Sequence, residues 1–339
     1  RLIKSGKLKA IIDNGIMGLT SNPTIFQKAV AASDIYKEQI EELAKAGKSA
    51  KEIYDAVTIS DVREAADLLE DVYLTTGKID GYVSIEVYPE YAHDPAKTIE
   101  YARDVYKRIN RKNIMIKVPG TREGYEAVKA LIKEGISVNV TLLFSVEHYR
   151  PAALAYIDGL RERVKGNKDI KDIRSVASVF ISRIDTRCDK ILDEKGEGAL
   201  KGRAAVANTR MVYQAFKDLF SAENFDDLRK KGAEVQRPLW ASTSAKNPVY
   251  KDIKYVEELV AKDTVNTIPH ATMEAYLDHG EPQLNIEDGL DGVKNDLEKF
   301  KALGIDMTGL CQSIQDDGVD AFQRSFDDLI GAIEKETKR

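Results

Sequence analysis

Residues 137–142 read Ser137-Val138-Asn139-Val140-Thr141-Leu142. Polar and apolar side chains alternate, and successive side chains on a strand point to opposite faces. The stretch therefore predicts a strand with one polar and one apolar face. The same alternation occurs on either side of it, in Ser84-Ile85-Glu86-Val87, in Ser178-Val179-Phe180-Ile181-Ser182 and in Thr264-Val265-Asn266. Seven strands are predicted in all, over 15–20, 82–87, 113–118, 137–142, 176–181, 238–243 and 264–269. Apolar residues at helical spacing fill the intervals over 95–109, 125–132, 204–220 and 252–260. Strands alternating with helices indicate a parallel sheet covered by helices. Parallel strands buried on both faces ordinarily read as continuous apolar runs. A shared polar face fits a closed barrel whose interior turns polar toward the C-terminal strand ends, where barrel active sites lie. Half-solvated antiparallel strands would also alternate, but helices separate these strands. The predicted fold class is α/β, a (β/α)₈ TIM barrel with extra helices and with its first strand missing from the chain.

The length of 339 residues suits one such domain over 1–339; barrels take ~250 residues and exceed ~400 with insertions. Residues 24–80 read as a helical elaboration of one βα unit, and 283–339 as a C-terminal helical extension. Thr121 after Pro119-Gly120 predicts a helix cap, and Gly135 a helix end. Residues 1–6 read as the middle of a helix, without a signal-peptide core. The net charge of −5 comes from mixed signs, with no basic block to suggest a nucleic-acid partner. No apolar run approaches the ~18 residues of a membrane span. Cys188 and Cys311 form neither a disulfide framework nor a zinc spacing, which favours a cytoplasmic setting and helix-packing roles. His93, His148, His270 and His279 lack ligand spacing, so no metal and no cofactor is expected. The glycine-rich run at 196–202 has the wrong spacing for a nucleotide loop and follows a helical pattern. Assembly into a homo-oligomer is compatible with the sequence and not specified by it.

Ile114-Met115-Ile116-Lys117-Val118-Pro119 places a lysine inside a strand, flanked by apolar residues. Burial disfavours an ammonium and lowers its pKa. The resulting neutral amine can attack a ketone and form an imine, which stabilises the carbanion left by C–C cleavage without a metal. A lysine that reaches a rim or pairs with a carboxylate fits this segment equally well. Glu86 ends the polar face of the preceding strand, within reach in a barrel. It fits a proton relay acting through water, and it also fits a plain buried ion pair.

With these residues assembled, the chain resembles the transaldolases, in particular their longer subgroup. The matching stretches are Leu19-Thr20-Ser21-Asn22-Pro23-Thr24-Ile25-Phe26, Val83-Ser84-Ile85-Glu86-Val87, Ile116-Lys117-Val118-Pro119-Gly120-Thr121 and Gly135-Ile136-Ser137-Val138-Asn139-Val140-Thr141-Leu142-Leu143-Phe144-Ser145. Further matches are Ser178-Val179-Phe180-Ile181-Ser182-Arg183-Ile184-Asp185, Leu239-Trp240-Ala241-Ser242-Thr243-Ser244 and Thr264-Val265-Asn266-Thr267-Ile268-Pro269. The resemblance implies that Lys117 forms the Schiff base and that Glu86 and Thr141 position the proton-shuttling water. It implies that Thr20, Asn22, Asn139 and Ser178 contact the dihydroxyacetone unit, with Phe180 in the site wall. Arg183 and Ser242 fall at phosphate-binding positions, and arginine offers phosphate a planar fork.

Two departures stand out. Many relatives carry a second arginine just after the Ser242 position; here Ser244-Ala245-Lys246-Asn247 offers Lys246 as a point cation. The resemblance also implies an acid/base aspartate on a first barrel strand, which would lie upstream of residue 1. Asp13 reads as a helix end, not as that residue. The expected activity is transfer of dihydroxyacetone from sedoheptulose 7-phosphate or fructose 6-phosphate to an aldose phosphate, a step of the pentose phosphate pathway. The alternatives are a fructose-6-phosphate-type aldolase and a catalytically silent barrel that binds sugar phosphates. Related aldolases tend to carry tyrosine at the Phe180 position, which favours the transferase.

Overall fold

The computed structural model describes residues 3, 5–31 and 36–337, with residues 30 and 31 described by their backbone alone. Seven strands form one sheet: β1 (Gly18–Thr20), β2 (Tyr82–Glu86), β3 (Ile114–Pro119), β4 (Val138–Leu143), β5 (Ser175–Phe180), β6 (Arg237–Ala241) and β7 (Val265–Asn266). Their spatial order follows the chain, β1 to β7. The pairings β1–β2, β2–β3, β5–β6 and β6–β7 are parallel. Helices connect the strands, as the alternating pattern requires, and the antiparallel reading is excluded. All seven predicted strands occur. The outermost are shorter than predicted: β1 has three residues and β7 two, and all of them are half-buried. In β2, β3 and β4 every residue is buried, polar ones included.

The chain divides into two compact units. The first comprises residues 1–118, 122–139 and 319–339. Its 24–80 segment is helical, with Pro23–Ala31, Lys37–Lys45, Ala50–Leu68 and Glu70–Thr75; residues 32–35 of that prediction lie outside the described residues. A capping box between Ser49 and Glu52 starts the third of these helices. Phe26, Ile53, Tyr54, Val57, Tyr88, Phe326 and Leu329 share one apolar cluster. Asn113 donates to the carbonyls of Ala66 and Gly81 and so anchors the entry to β3. Arg1, Leu2 and Lys4 of the predicted N-terminal helix lie outside the described residues. Ile3, Ser5 and Gly6 form a turn, and helix begins only at Lys7.

The second unit comprises residues 119–121 and 140–318. Helix Val146–Lys165 is capped by the Ser145 hydroxyl and includes the buried Tyr149 and Tyr156. The predicted helix over 252–260 is confined to Lys254–Glu257. Its apolar residues serve a pinned loop instead: Trp240 donates to the Leu259 carbonyl at 3.0 Å and Tyr255 to Asp185 at 2.7 Å. The C-terminal prediction resolves into two helices, Leu290–Ala302 and Met307–Thr337, separated at Gly304, whose φ of 73° suits glycine; Lys338 and Arg339 lie outside the described residues. Cys188 and Cys311 are buried on helices, and burial pushes both thiols up to about 12. Among the described residues no helix is long and apolar enough to cross a membrane.

Candidate active site

In the first unit the register sets Glu86 on β2 opposite Lys117 on β3. Apolar neighbours on both strands leave only 5% of Lys117 and 4% of Glu86 exposed. Lys117 Nζ lies 3.2 Å from Glu86 Oε2 and donates to the Ser21 carbonyl at 3.1 Å. Burial raises the Glu86 carboxyl above its ordinary range, and the neighbouring Lys117 opposes that rise. Transfer of one proton from Nζ to Oε2 leaves a neutral amine and a neutral carboxyl, and the neutral amine is the form that adds to a carbonyl. Glu86 Oε1 is buried with no hydrogen-bond partner among the described residues.

The surrounding polar groups are tied to backbone. Ser21 donates through both its amide and its hydroxyl to the Ser84 carbonyl, at 3.1 and 2.9 Å, which fixes the carbonyl that Lys117 uses. Asn139 is fully buried and donates to Ser84 Oγ at 3.1 Å. Thr20 pairs in register with Ser84. Asn22 Oδ1 accepts from the Ile25 amide at 2.8 Å and so caps the helix that Pro23 begins. Asp13 is exposed at the end of helix Lys7–Asp13 and pairs with Lys9 at 3.3 Å, in agreement with the helix-end reading.

In the second unit Thr141 is fully buried, and its Oγ1 has no hydrogen-bond partner among the described residues. Ser178 lies on β5 opposite Leu239 of β6, and Phe180 opposite Ala241. Phe180 is half-buried, with its ring 5.5 Å from that of Phe144 and 5.6 Å from the Arg183 guanidinium carbon. Arg183 stands in the first turn of helix Ser182–Lys195. Among the described residues its guanidinium makes no hydrogen bond and no ion pair; burial lowers its pKa and Asp317 works the other way. A half-buried fork with every donor free is suited to an oxyanion. Ser242 adopts φ 55° just past β6, its Oγ lies 2.9 Å from Ser182 Oγ, and its carbonyl accepts from the Ser182 amide at 3.1 Å. Lys246 is exposed and donates to Ser244 Oγ at 2.7 Å.

One local prediction needs correction. Ser182 was expected to continue the alternation of β5, but the strand ends at Phe180 and Ser182 opens the helix, where it meets Ser242. The Ser21 carbonyl was not foreseen as the second acceptor for Lys117. A backbone carbonyl carries no residue-type signal, and Ser21 reads as part of a loop.

A family model described as transaldolase/fructose-6-phosphate aldolase matches residues 2–333. The chain is 44% identical to the transaldolase of Trichodesmium erythraeum over 352 aligned positions, which cover 100% of this chain and 93% of that protein. It is 44% identical to transaldolase 2 of Nostoc sp., over 99% of this chain and 92% of that protein. The transaldolase of Mycolicibacterium smegmatis is 43% identical over 98% of this chain and 91% of its own length. With likeness of that extent running through the segments that carry Lys117, Glu86 and Arg183, the chain belongs to the transaldolase/fructose-6-phosphate aldolase family.

Proposed function

We infer that the protein is a transaldolase that works as one catalytic domain in the cytoplasm. It moves a dihydroxyacetone unit from sedoheptulose 7-phosphate or fructose 6-phosphate to an aldose phosphate. Lys117 Nζ adds to the ketose C2 carbonyl, and the carbinolamine loses water to give an imine. Glu86 takes the proton that the amine sheds and returns it to the departing hydroxyl, with Thr141 orienting the water. Protonated, the imine withdraws electrons from C3; as the C4 hydroxyl gives its proton to a general base, the C3–C4 bond breaks, C4 leaves as the aldehyde of an aldose phosphate, and the bonding pair stays on the enzyme as a stabilised carbanion. That carbanion attacks the acceptor aldehyde, and hydrolysis of the new imine frees Lys117. Thr20, Asn22, Asn139 and Ser178 hold the hydroxyls of the three-carbon unit. Arg183, Ser242 and Lys246 hold the distal phosphate and keep the reacting bond aligned.

The single observation that carries this reading is the buried Lys117–Glu86 pair, set in register on neighbouring strands. Phe180 supports transfer over hydrolytic release, because a phenyl ring against Phe144 offers water no hydroxyl to follow toward the imine. The test is an incubation with fructose 6-phosphate, with and without erythrose 4-phosphate. A transferase forms glyceraldehyde 3-phosphate only when the acceptor is present. Release of free dihydroxyacetone at the same rate without acceptor would identify an aldolase instead.

A further inference from the structure

One face of helix Met307–Thr337 carries Cys311, Gln315 and Gly318, at the three- and four-residue spacing that lines up helical side chains. That face packs on the chain just past the catalytic strand positions. Cys311 Sγ lies 3.7 Å from the Phe144 carbonyl. A methyl added at Gly318 would stand 3.1 Å from Leu142 Cδ2 and 3.4 Å from an Arg183 guanidinium nitrogen, so glycine makes room for both. Gln315 is 4% exposed, and its Nε2 donates to the carbonyls of Gly120 at 2.9 Å and Leu142 at 2.8 Å.

The orientation of that amide is fixed by a chain of neighbours. Gln315 Oε1 accepts from Gln312 Nε2 at 3.1 Å, and Gln312 Oε1 lies 3.2 Å from His148 Nε2. The Phe144 amide can only donate to His148 Nδ1, at 3.3 Å, which assigns the imidazole proton to Nε2. Burial lowers the His148 pKa and keeps the ring neutral, as this arrangement needs. Both hydrogens of the Gln315 amide are therefore spent on the two carbonyls.

Those carbonyls sit at sensitive places. Gly120 follows Lys117 by three residues, and its amide donates to the Thr141 carbonyl at 2.7 Å. Leu142 follows Thr141 directly and has φ 60°, a left-handed backbone that disfavours an L-residue. Such strain persists only where surrounding contacts hold it.

We propose that Gln315 is a positioning residue of the active site: it latches the turns that follow Lys117 and Thr141 in the chain and so fixes the backbone that leads out of each. The inference rests on the Schiff-base reading above. The test compares full-length wild type with Gln315→Leu and Gln315→Glu. The readouts are transfer from fructose 6-phosphate to erythrose 4-phosphate, thermal melting, and borohydride trapping at Lys117. Gln315→Leu is expected to lower kcat by roughly tenfold to a hundredfold, with KM within about threefold, since small misplacements act on the reacting geometry. A carboxylate at 315 accepts but cannot donate. Gln315→Glu should therefore be slow at about pH 8 and recover, relative to wild type, toward about pH 5.5 as its protonated form donates to one carbonyl. A residue with only a structural role would lower the melting temperature without that recovery. If either variant melts cooperatively and keeps kcat within about twofold of wild type across this range, the latch is wrong. Should Gln315→Leu not fold, Gln315→Glu decides alone. Absence of a Lys117 adduct in wild type would overturn the Schiff-base reading itself, and the latch with it.

Discussion

Replacing Lys117 by methionine keeps the bulk of the side chain and removes its amine. Transfer should fall by roughly 10⁴-fold or more, as when other covalent nucleophiles are deleted. Stability should fall as well, because Glu86 loses its cation and breaking a buried pair costs about 3–5 kcal/mol. The sign follows from the raised Glu86 carboxyl: the folded state prefers the protonated form, so the deficit shrinks as pH falls and grows as pH rises through the folded value. Urea melts at acid and alkaline pH measure it. Glu86→Gln keeps the shape but cannot take a proton; kcat should drop about 10²–10⁴-fold, the usual worth of a positioned acid/base, with little change in KM. Arg183→Lys exchanges a fork for a point charge and should raise KM for fructose 6-phosphate about tenfold or more, with a far smaller effect on unphosphorylated fructose. Lys246→Ala removes an exposed point cation from the distal phosphate and should raise KM for fructose 6-phosphate by about threefold, less than the Arg183 change, with kcat nearly unchanged.

Helix Ser182–Lys195 makes a prediction of its own. Asp185 is buried on it, accepts from the Ala205 amide and the Tyr255 hydroxyl, and burial pushes its carboxyl up to about 6 from the ordinary 3.8. A carboxyl raised by folding contributes stability that is fully present below its unfolded value and lost as pH rises through its folded one. Between about pH 4 and pH 7 the protein should lose about 3 kcal/mol through this group. Asp185→Asn should remove that slope, which denaturant melts of variant and wild type would reveal as a difference that vanishes in acid. At this scale the sequence was most legible in the strands, because alternation such as Ser137 to Leu142 encodes both the strand and its polar face. It was least legible where tertiary contacts override periodicity. Tyr255, Val256 and Leu259 have helical spacing, yet only Lys254–Glu257 is helical, since hydrogen bonds to Asp185 and from Trp240 pin the segment. Gln315 gave no signal at all, because its partner Gly120 lies 195 positions away.

For the molecule as a whole, a parallel sheet with strands in chain order follows from the alternation of strands and helices, and the family follows from likeness along nearly the full chain. The candidate site was legible as a set of polar residues on strands that ought to be apolar. Its proton geometry was not, because the Ser21 carbonyl and the unpartnered Glu86 oxygen are properties of packing. Imine chemistry stabilises the carbanion without a Lewis acid, so EDTA should leave the transfer rate unchanged within assay error. The most direct measurement is reduction with borohydride in the presence of fructose 6-phosphate, followed by mass mapping of the digested protein. Schiff-base catalysis at Lys117 predicts lost activity and a reduced three-carbon or six-carbon adduct on the peptide that contains Lys117. An unmodified Lys117 peptide from active enzyme, or an adduct confined to another lysine, would contradict it.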